Sequence, residues 1–561
     1  MITRRQFVTG LGLSPLLPQL AGAVPGKPQN AMNLVIDQQT VNFTGTPRTA
    51  TTINGSLPAP VLRWRQGDLV TIDVSNRLPA MSSIHWHGII LPSNMDGVPG
   101  LSFDGIAPGG SYRYQFQLNQ SGTYWYHSHS GFQEQTGLYG AIIIDPAGGD
   151  RHGVDRDYVV LLSDWSDEPP MRILQNLRKN SHFYNRNQRS LSDIRKDLSE
   201  KGFKETFKER RMWNQMRMQD SDISDVTGFT YTFLMNGRTP ADGWEALYRK
   251  GERIRLRFIN ASAMTFFDIR IPGLKMTVTG SDGQDIHPVT VDDLRLGVAE
   301  TMDVIVEPAE DSSYAIFAQA MDRSGYAVGH LTASSGQKAD LPMLDPVPRL
   351  GHIDMGMDMG MDMSTGGGME MNHHHHHHHH EGHQKKGNQS VQHAPTEFGP
   401  HVDMRAEAPQ YRLDDPGVGL RHLAKEGRRV LTYADMARLD PVSRPDPDRE
   451  IEMHLTGNME RYLWSIDGVP YRDAEPMRWR YDERVRITFV NDTMMNHPMH
   501  LHGMWSELET GHEHLPIKHT VVVQPGAKIS YQVQVDAYGK WAYHCHMLYH
   551  MMDMFREVHV T

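Results

Sequence analysis

Gly67-Asp-Leu-Val-Thr-Ile-Asp-Val-Ser-Asn76 alternates apolar and polar residues with a period of two, the pattern of a strand with one buried face. Asn54-Gly55, upstream of it, is a dipeptide that marks a tight turn. The pair of features recurs twice. Asn236-Gly237 precedes Gly251-Glu-Arg-Ile-Arg-Leu-Arg-Phe-Ile-Asn260, and Asp467-Gly468 precedes Asp482-Glu-Arg-Val-Arg-Ile-Thr-Phe-Val-Asn491. From turn glycine to closing asparagine the spacing is 21, 23 and 23 residues. Three copies of one β unit predict an all-β chain of three β-sandwich domains, near 24–148, 155–340 and 411–561.

Three stretches lie outside this pattern. Residues 166–225 are charged and helix-leaning, as in Phe207-Lys-Glu-Arg-Arg-Met212, and read as a surface helical insertion in the second domain, with Met212, Met216 and Met218 packing. Residues 341–410 read as a linker, and within it 352–383 are low in complexity. There Met355, Met357, Met359, Met361 and Met363 alternate with Asp and Gly, and His373 to His380 run unbroken. So little apolar bulk predicts a disordered loop, suited to capturing metal. The chain opens Thr3-Arg-Arg-Gln-Phe-Val8 and reaches Ala21-Gly-Ala23, which resembles a twin-arginine export signal over residues 1–23. Its apolar run is broken by Gly10, Gly12, Pro15 and Pro18, too short to span a bilayer. The expectation is a periplasmic protein starting near Val24, with no membrane span.

Charge and composition narrow the chemistry. Lysine plus arginine number 56 against 67 aspartate plus glutamate, a net −11, which argues against a nucleic-acid binder. One cysteine excludes an intramolecular disulfide framework. The 32 histidines and 34 methionines point to a soft metal, because imidazole and thioether both suit copper. Four His-x-His pairs stand out: His85/His87, His127/His129, His500/His502 and His544/His546. Residues i and i+2 of a strand share a face, so each pair presents two imidazoles to one place. Eight imidazoles suit three metals, held by three, three and two. Gly122-Thr-Tyr-Trp-Tyr-His127-Ser-His129 matches Gly539-Lys-Trp-Ala-Tyr-His544-Cys-His546, and the middle domain's counterpart, around Ser313-Tyr314, has no histidine. The middle domain therefore reads as a spacer. Cys545 points away from His544 and His546 in an extended segment. With His497, His550 and a methionine it makes a His₂Cys site of the blue-copper kind, whereas a single thiolate is a poor zinc site.

His85-Trp-His-Gly88, His127-Ser-His129, His497-Pro-Met-His-Leu-His-Gly503 and His544-Cys-His-x₃-His550 resemble the four signatures of the multicopper oxidases. The export-like start, Arg211-Met-Trp-Asn-Gln-Met-Arg-Met218, the Met-rich tract, Gly399-Pro-His-Val-Asp-Met-Arg405 and Leu413-Asp-Asp-Pro-Gly-Val-Gly419 narrow the resemblance to the periplasmic copper-resistance oxidases. It implies cupredoxin-like Greek-key domains and four copper ions. By position, type 1 copper takes His497, Cys545 and His550, and type 2 copper takes His85 and His500. One type 3 copper takes His87, His127 and His546, the other His129, His502 and His544. The axial residue of the family falls five after the last histidine, at Phe555; Met554 stands at four and is the expected axial ligand. Asp96 matches an acid that supplies protons near type 2 copper. The acid often found directly after the last type 1 histidine is replaced by Met551, which leaves a second proton relay unassigned. The implied activity couples one-electron oxidation of Cu(I), or of small phenols as in laccases, to reduction of O₂ to water. Copper sequestration alone is the further alternative.

Overall fold

The computed structural model describes residues 30–351, 353–357, 391–440 and 442–561. The export signal and the octahistidine run lie outside the described residues. Six sheets stack in pairs, mostly antiparallel, as three cupredoxin-like sandwiches. In each, the first strand pairs in parallel with the strand that ends the repeat: Asn30–Val41 with Leu69–Asn76, Arg156–Ser166 with Ile254–Asn260, and Arg449–Asn458 with Arg484–Asn491.

The repeated residues are the ones the turn chemistry demands. Asn54, Asn236 and Asp467 adopt φ of 51°, 49° and 51°, and the glycine after each is also left-handed, the backbone of a tight hairpin turn. Their side-chain oxygens accept the N–H of Val35, Leu161 and His454, at 2.8, 2.8 and 2.7 Å, tying the turn to the first strand. The closing asparagines act alike. Asn76 donates to the carbonyls of Ala80 and Ile106, Asn260 to those of Thr265 and Leu296, and Asn491 to those of Met495 and Val523. Each amide thus ties the loop that follows the strand, at Ala80, Thr265 or Met495, to a carbonyl farther along the chain, at Ile106, Leu296 or Val523. In the first and third sandwiches that loop leads into histidines. In the second, Asp164 fills it, accepting N–H bonds from Ala263, Met264 and Thr265 and the Thr265 hydroxyl.

The insertion in the second sandwich contains helices Pro170–Lys179 and Leu191–Met216, the latter kinked at Gly202. Capping follows the sequence, since Ser190 and Asp193 form a reciprocal capping box. Met218 is buried, and Met212 and Met216 pack at the core's edge. The insertion does more than cover a surface: Asp220 to Val226 run buried into the third sandwich's neighbourhood. The expectation that residues from 352 onward form a loop outside the core fails at its start. Ile353–Met355 is a short 3-10 turn, Met355 is fully buried, Asp354 is ion-paired with Arg421, and the Gly356 carbonyl accepts from Ala408 N–H at 2.7 Å. Residues 358–390 lie outside the described residues.

Candidate metal centres

His85 sits opposite His127 on paired strands of the first sandwich, and His500 opposite His544 in the third. All four His-x-His pairs meet between the two sandwiches, buried except for part of His129. Ring Nε2 atoms approach across that junction, His85 and His500 at 3.4 Å, His129 and His544 at 3.3 Å, His127 and His546 at 3.3 Å, and within the third sandwich His502 and His544 lie 3.1 Å apart. His87 stacks on His500 and reaches His546 with ring centroids 4.9 Å apart.

The other ring nitrogens decide what can hold such a cluster. His85 Nδ1–H donates to the Asp96 carbonyl (2.8 Å), His500 Nδ1–H to the His519 carbonyl (2.6 Å) and His544 Nδ1–H to the Cys545 carbonyl (3.0 Å). His502 Nδ1–H donates to Asp96 Oδ2 at 2.9 Å. A carbonyl cannot donate, so Nδ1 carries the proton and Nε2 is a bare lone pair in the neutral ring. In the His85/His500 and His502/His544 pairs two bare lone pairs face each other. Burial lowers the imidazole pKa values of His500 and His502, and that of His544 to about 4, so a second proton on these rings does not relieve them. Two nitrogens each bound at about 2.0–2.1 Å to one tetrahedral ion stand about 3.3 Å apart. The donor set therefore fits metal ions. His87 differs: its Nε2 lies 3.1 Å from Thr520 Oγ1 and from His519 Nδ1, which leaves Nδ1 as the unpartnered atom.

Cys545 faces the other way, as strand alternation requires. Its sulfur lies 3.5 Å from His497 Nδ1 and 3.8 Å from His550 Nδ1, which are 3.3 Å from each other. The three are fully buried, and burial pushes the thiol pKa up, so the thiolate needs a cation beside it. His497 Nε2 meets Thr493 Oγ1 at 2.7 Å, and Trp464 stacks on His550 at 3.8 Å. Phe555 pairs with His544 and lies parallel to its ring at 5.5 Å, on the cluster side of the strand. Met554, fully buried, directly precedes that strand, and its carbonyl accepts the Cys545 N–H at 3.1 Å.

Asp96 bridges two of the paired rings through its carbonyl and carboxylate, and burial raises its pKa. It is held there by Gly97 (φ 85°), where a Cβ would lie 1.8 Å from the Ile84 carbonyl oxygen. Sequence reading missed several residues. Glu134, buried with its pKa well raised by desolvation, reaches His127 Nδ1 at 2.8 Å. His519 adds a ninth imidazole, grouped with His87 and His500. Asp225, from the insertion of the middle sandwich, accepts from His550 Nε2–H at 2.6 Å and from the Tyr462 hydroxyl at 3.1 Å. Its signal was faint: an Asp-Ser-Asp-Ile-Ser-Asp run just after a helix.

Family models described as multicopper oxidase match residues 35–148, 156–336 and 444–561. The chain is 52% identical over 593 residues to a copper resistance protein A homolog of Pseudomonas syringae pv. tomato, covering 100% of this chain and 99% of that one. It is 49% identical over 605 residues to copper resistance protein A of Escherichia coli, with the same coverage. Among solved structures it shares the fold of Fet3p, a multicopper oxidase that functions in iron import (TM-score 0.64, 17% identity, 95% and 90% of the two chains covered). It also shares that of a laccase from Botrytis aclada (TM-score 0.63, 20% identity, 94% and 87% covered).

Proposed function

The chain belongs to the multicopper oxidase family, and from that premise we propose that it is a periplasmic copper-resistance oxidase that takes electrons from Cu(I). The relatives named for copper resistance and the Met- and His-rich tract support this reading. In it, His497, Cys545, His550 and Met554 would hold type 1 copper, and His85 and His500 would hold type 2. His87, His127 and His546 hold one type 3 copper, and His129, His502 and His544 the other. Copper bound there supplies one-electron acceptance at the thiolate and four-electron reduction of O₂ to water at the cluster.

The chain's own residues do the rest. The observation that carries the proposal is Cys545, whose peptide neighbours His544 and His546 belong to the cluster while its sulfur belongs to the His₂Cys site. Copper storage alone needs no such link. Asp96 and Glu134, whose carboxyl pKa values burial raises, stand at the Nδ1 side of His85, His502 and His127, placed to pass protons toward the cluster. Residues 1–23 direct export by the twin-arginine route, and the tract collects Cu(I) through unprotonated thioethers and imidazoles. In this reading the three cupredoxin domains are residues 24–148, 155–340 and 411–561, after an export signal over 1–23 and with a Met- and His-rich linker over 341–410. The test is steady-state oxygen uptake by the full chain with Cu(I) and with a small phenol. Higher kcat/KM for Cu(I) supports the reading; turnover of the phenol alone makes the chain a laccase-like oxidase.

A further inference from the structure

Four side chains from three separate segments meet at the point where the chain re-enters the third sandwich. His393 precedes the 3-10 turn Pro395–Phe398 and Glu397 lies within it, His454 lies on strand Arg449–Asn458, and Asp492 follows the repeat asparagine. His393 Nδ1 is 2.7 Å from Glu397 Oε2 and 3.7 Å from Asp492 Oδ2; His454 Nδ1 is 2.6 Å from Asp492 Oδ2 and 3.4 Å from Glu397 Oε2. The side chains of Glu397, Asp492 and His454 are 1%, 0% and 4% exposed. Each carboxylate has one oxygen anchored, Glu397 Oε1 by the Ala394 N–H (2.9 Å) and Asp492 Oδ1 by the Ala406 N–H (2.7 Å). The other oxygen of each is thereby aimed between the two rings. His454 Nε2 is buried without a hydrogen bond, Glu452 Oε1 being 3.5 Å away.

We propose that His393, Glu397, His454 and Asp492 form a fifth metal site that binds a divalent cation, Cu(II) in this chain. Two imidazoles and two carboxylates are borderline-to-hard donors with no sulfur, a set that suits Cu(II) and disfavours Cu(I). The choice of Cu(II) rests on the reading that Cu(I) is the substrate, since Cu(II) is then the product. Position adds a role. Asp492 adjoins Thr493, whose hydroxyl meets His497 Nε2, so the site is one residue from the support of the Cys545 centre.

The test uses the full-length holoprotein with Cu(II) as probe. Parent, His393→Ala and Glu397→Gln are equilibrated with Cu(II), passed over a weak chelator, and assayed for copper per chain. Each variant should retain one copper fewer than the parent, with binding at that site weakened at least tenfold and the blue band unchanged. The tract is identical in all three, so its copper cancels. Equal copper counts with intact blue bands overturn the site and leave a hydrogen-bonded ion-pair network. Should a variant lose the blue band, copper-edge anomalous scattering from parent crystals soaked in Cu(II) decides: a peak among the four residues supports the site, and none overturns it. Neither readout uses turnover, so a parent that binds the fifth ion yet does not oxidise Cu(I) refutes only the substrate reading.

Discussion

Cys545 and His550 show how much one atom's surroundings decide. Replacing Cys545 by Ser removes the sulfur that stands 3.5–3.8 Å from two Nδ1 atoms, yet changes volume little. Cys545→Ser should therefore lose the intense visible absorption of thiolate-bound copper and all turnover, with thermal unfolding shifted by only a few degrees. An intact blue band in that variant refutes the assignment. Asp225 touches no proposed ligand atom facing the metal, but its carboxylate takes the Nε2 proton of His550 and so makes the ring a better donor. Asp225→Asn should weaken copper retention at the Cys545 centre about 10–100-fold and raise its reduction potential, because a negative charge that favours Cu(II) is gone. Potentiometric titration of the blue band checks this, and an unmoved potential would leave Asp225 a packing residue.

At the scale of elements, the segment Gly399–Arg405 shows a cost that sequence alone does not price. Asp403 accepts the Met459 N–H at 2.7 Å, and burial pushes its carboxyl up to about 6. Between an unfolded value of about 3.9 and this folded value, the folded chain keeps a proton that the unfolded chain has lost. Stability from this group is thus fully present below about pH 4 and is lost as pH rises through 6. Asp403→Asn removes the titration and keeps the acceptor. Its stability relative to the parent should climb between pH 4 and 6, by about 2 kcal/mol or less given residual solvent contact, and stay level above 7. Urea unfolding at a series of pH values measures it; a difference that does not vary with pH would contradict the burial argument.

The whole molecule depends on where the Met-rich tract begins. Met355 is in the core, Asp354 pairs with Arg421, and a Cβ on Gly526 would meet Met355 and Gly356 backbone at 2.2 Å. Deleting residues 358–383 should leave the melting temperature and blue colour nearly unchanged, while lowering kcat/KM for Cu(I) at low copper through lost effective concentration and sparing a bulky phenol. Deleting 352–383 should also remove a buried methionine and an ion pair, costing about 2–5 kcal/mol. Calorimetry and paired kinetics on the two deletions separate capture from folding. Equal loss with both substrates in the shorter deletion would mean that those residues serve structure.

Sequence by itself determined what repeats and residue chemistry determine. The Asn-Gly turns and closing asparagines set three sandwiches, because φ above zero and two buried carbonyls leave few residues that serve. Four His-x-His pairs and the single cysteine were legible because a strand's two-residue period fixes which side chains share a face. The choice of Met554 over Phe555, by contrast, finds its support in the pairing of Phe555 with His544. Only tertiary structure brought in Asp225, Glu134, His519 and the group of His393, Glu397, His454 and Asp492. Most of them reach a partner on another strand, turn or sandwich, and no local period encodes contact across such sequence distances. Burial then alters their proton affinities, which depend on what surrounds a group in space.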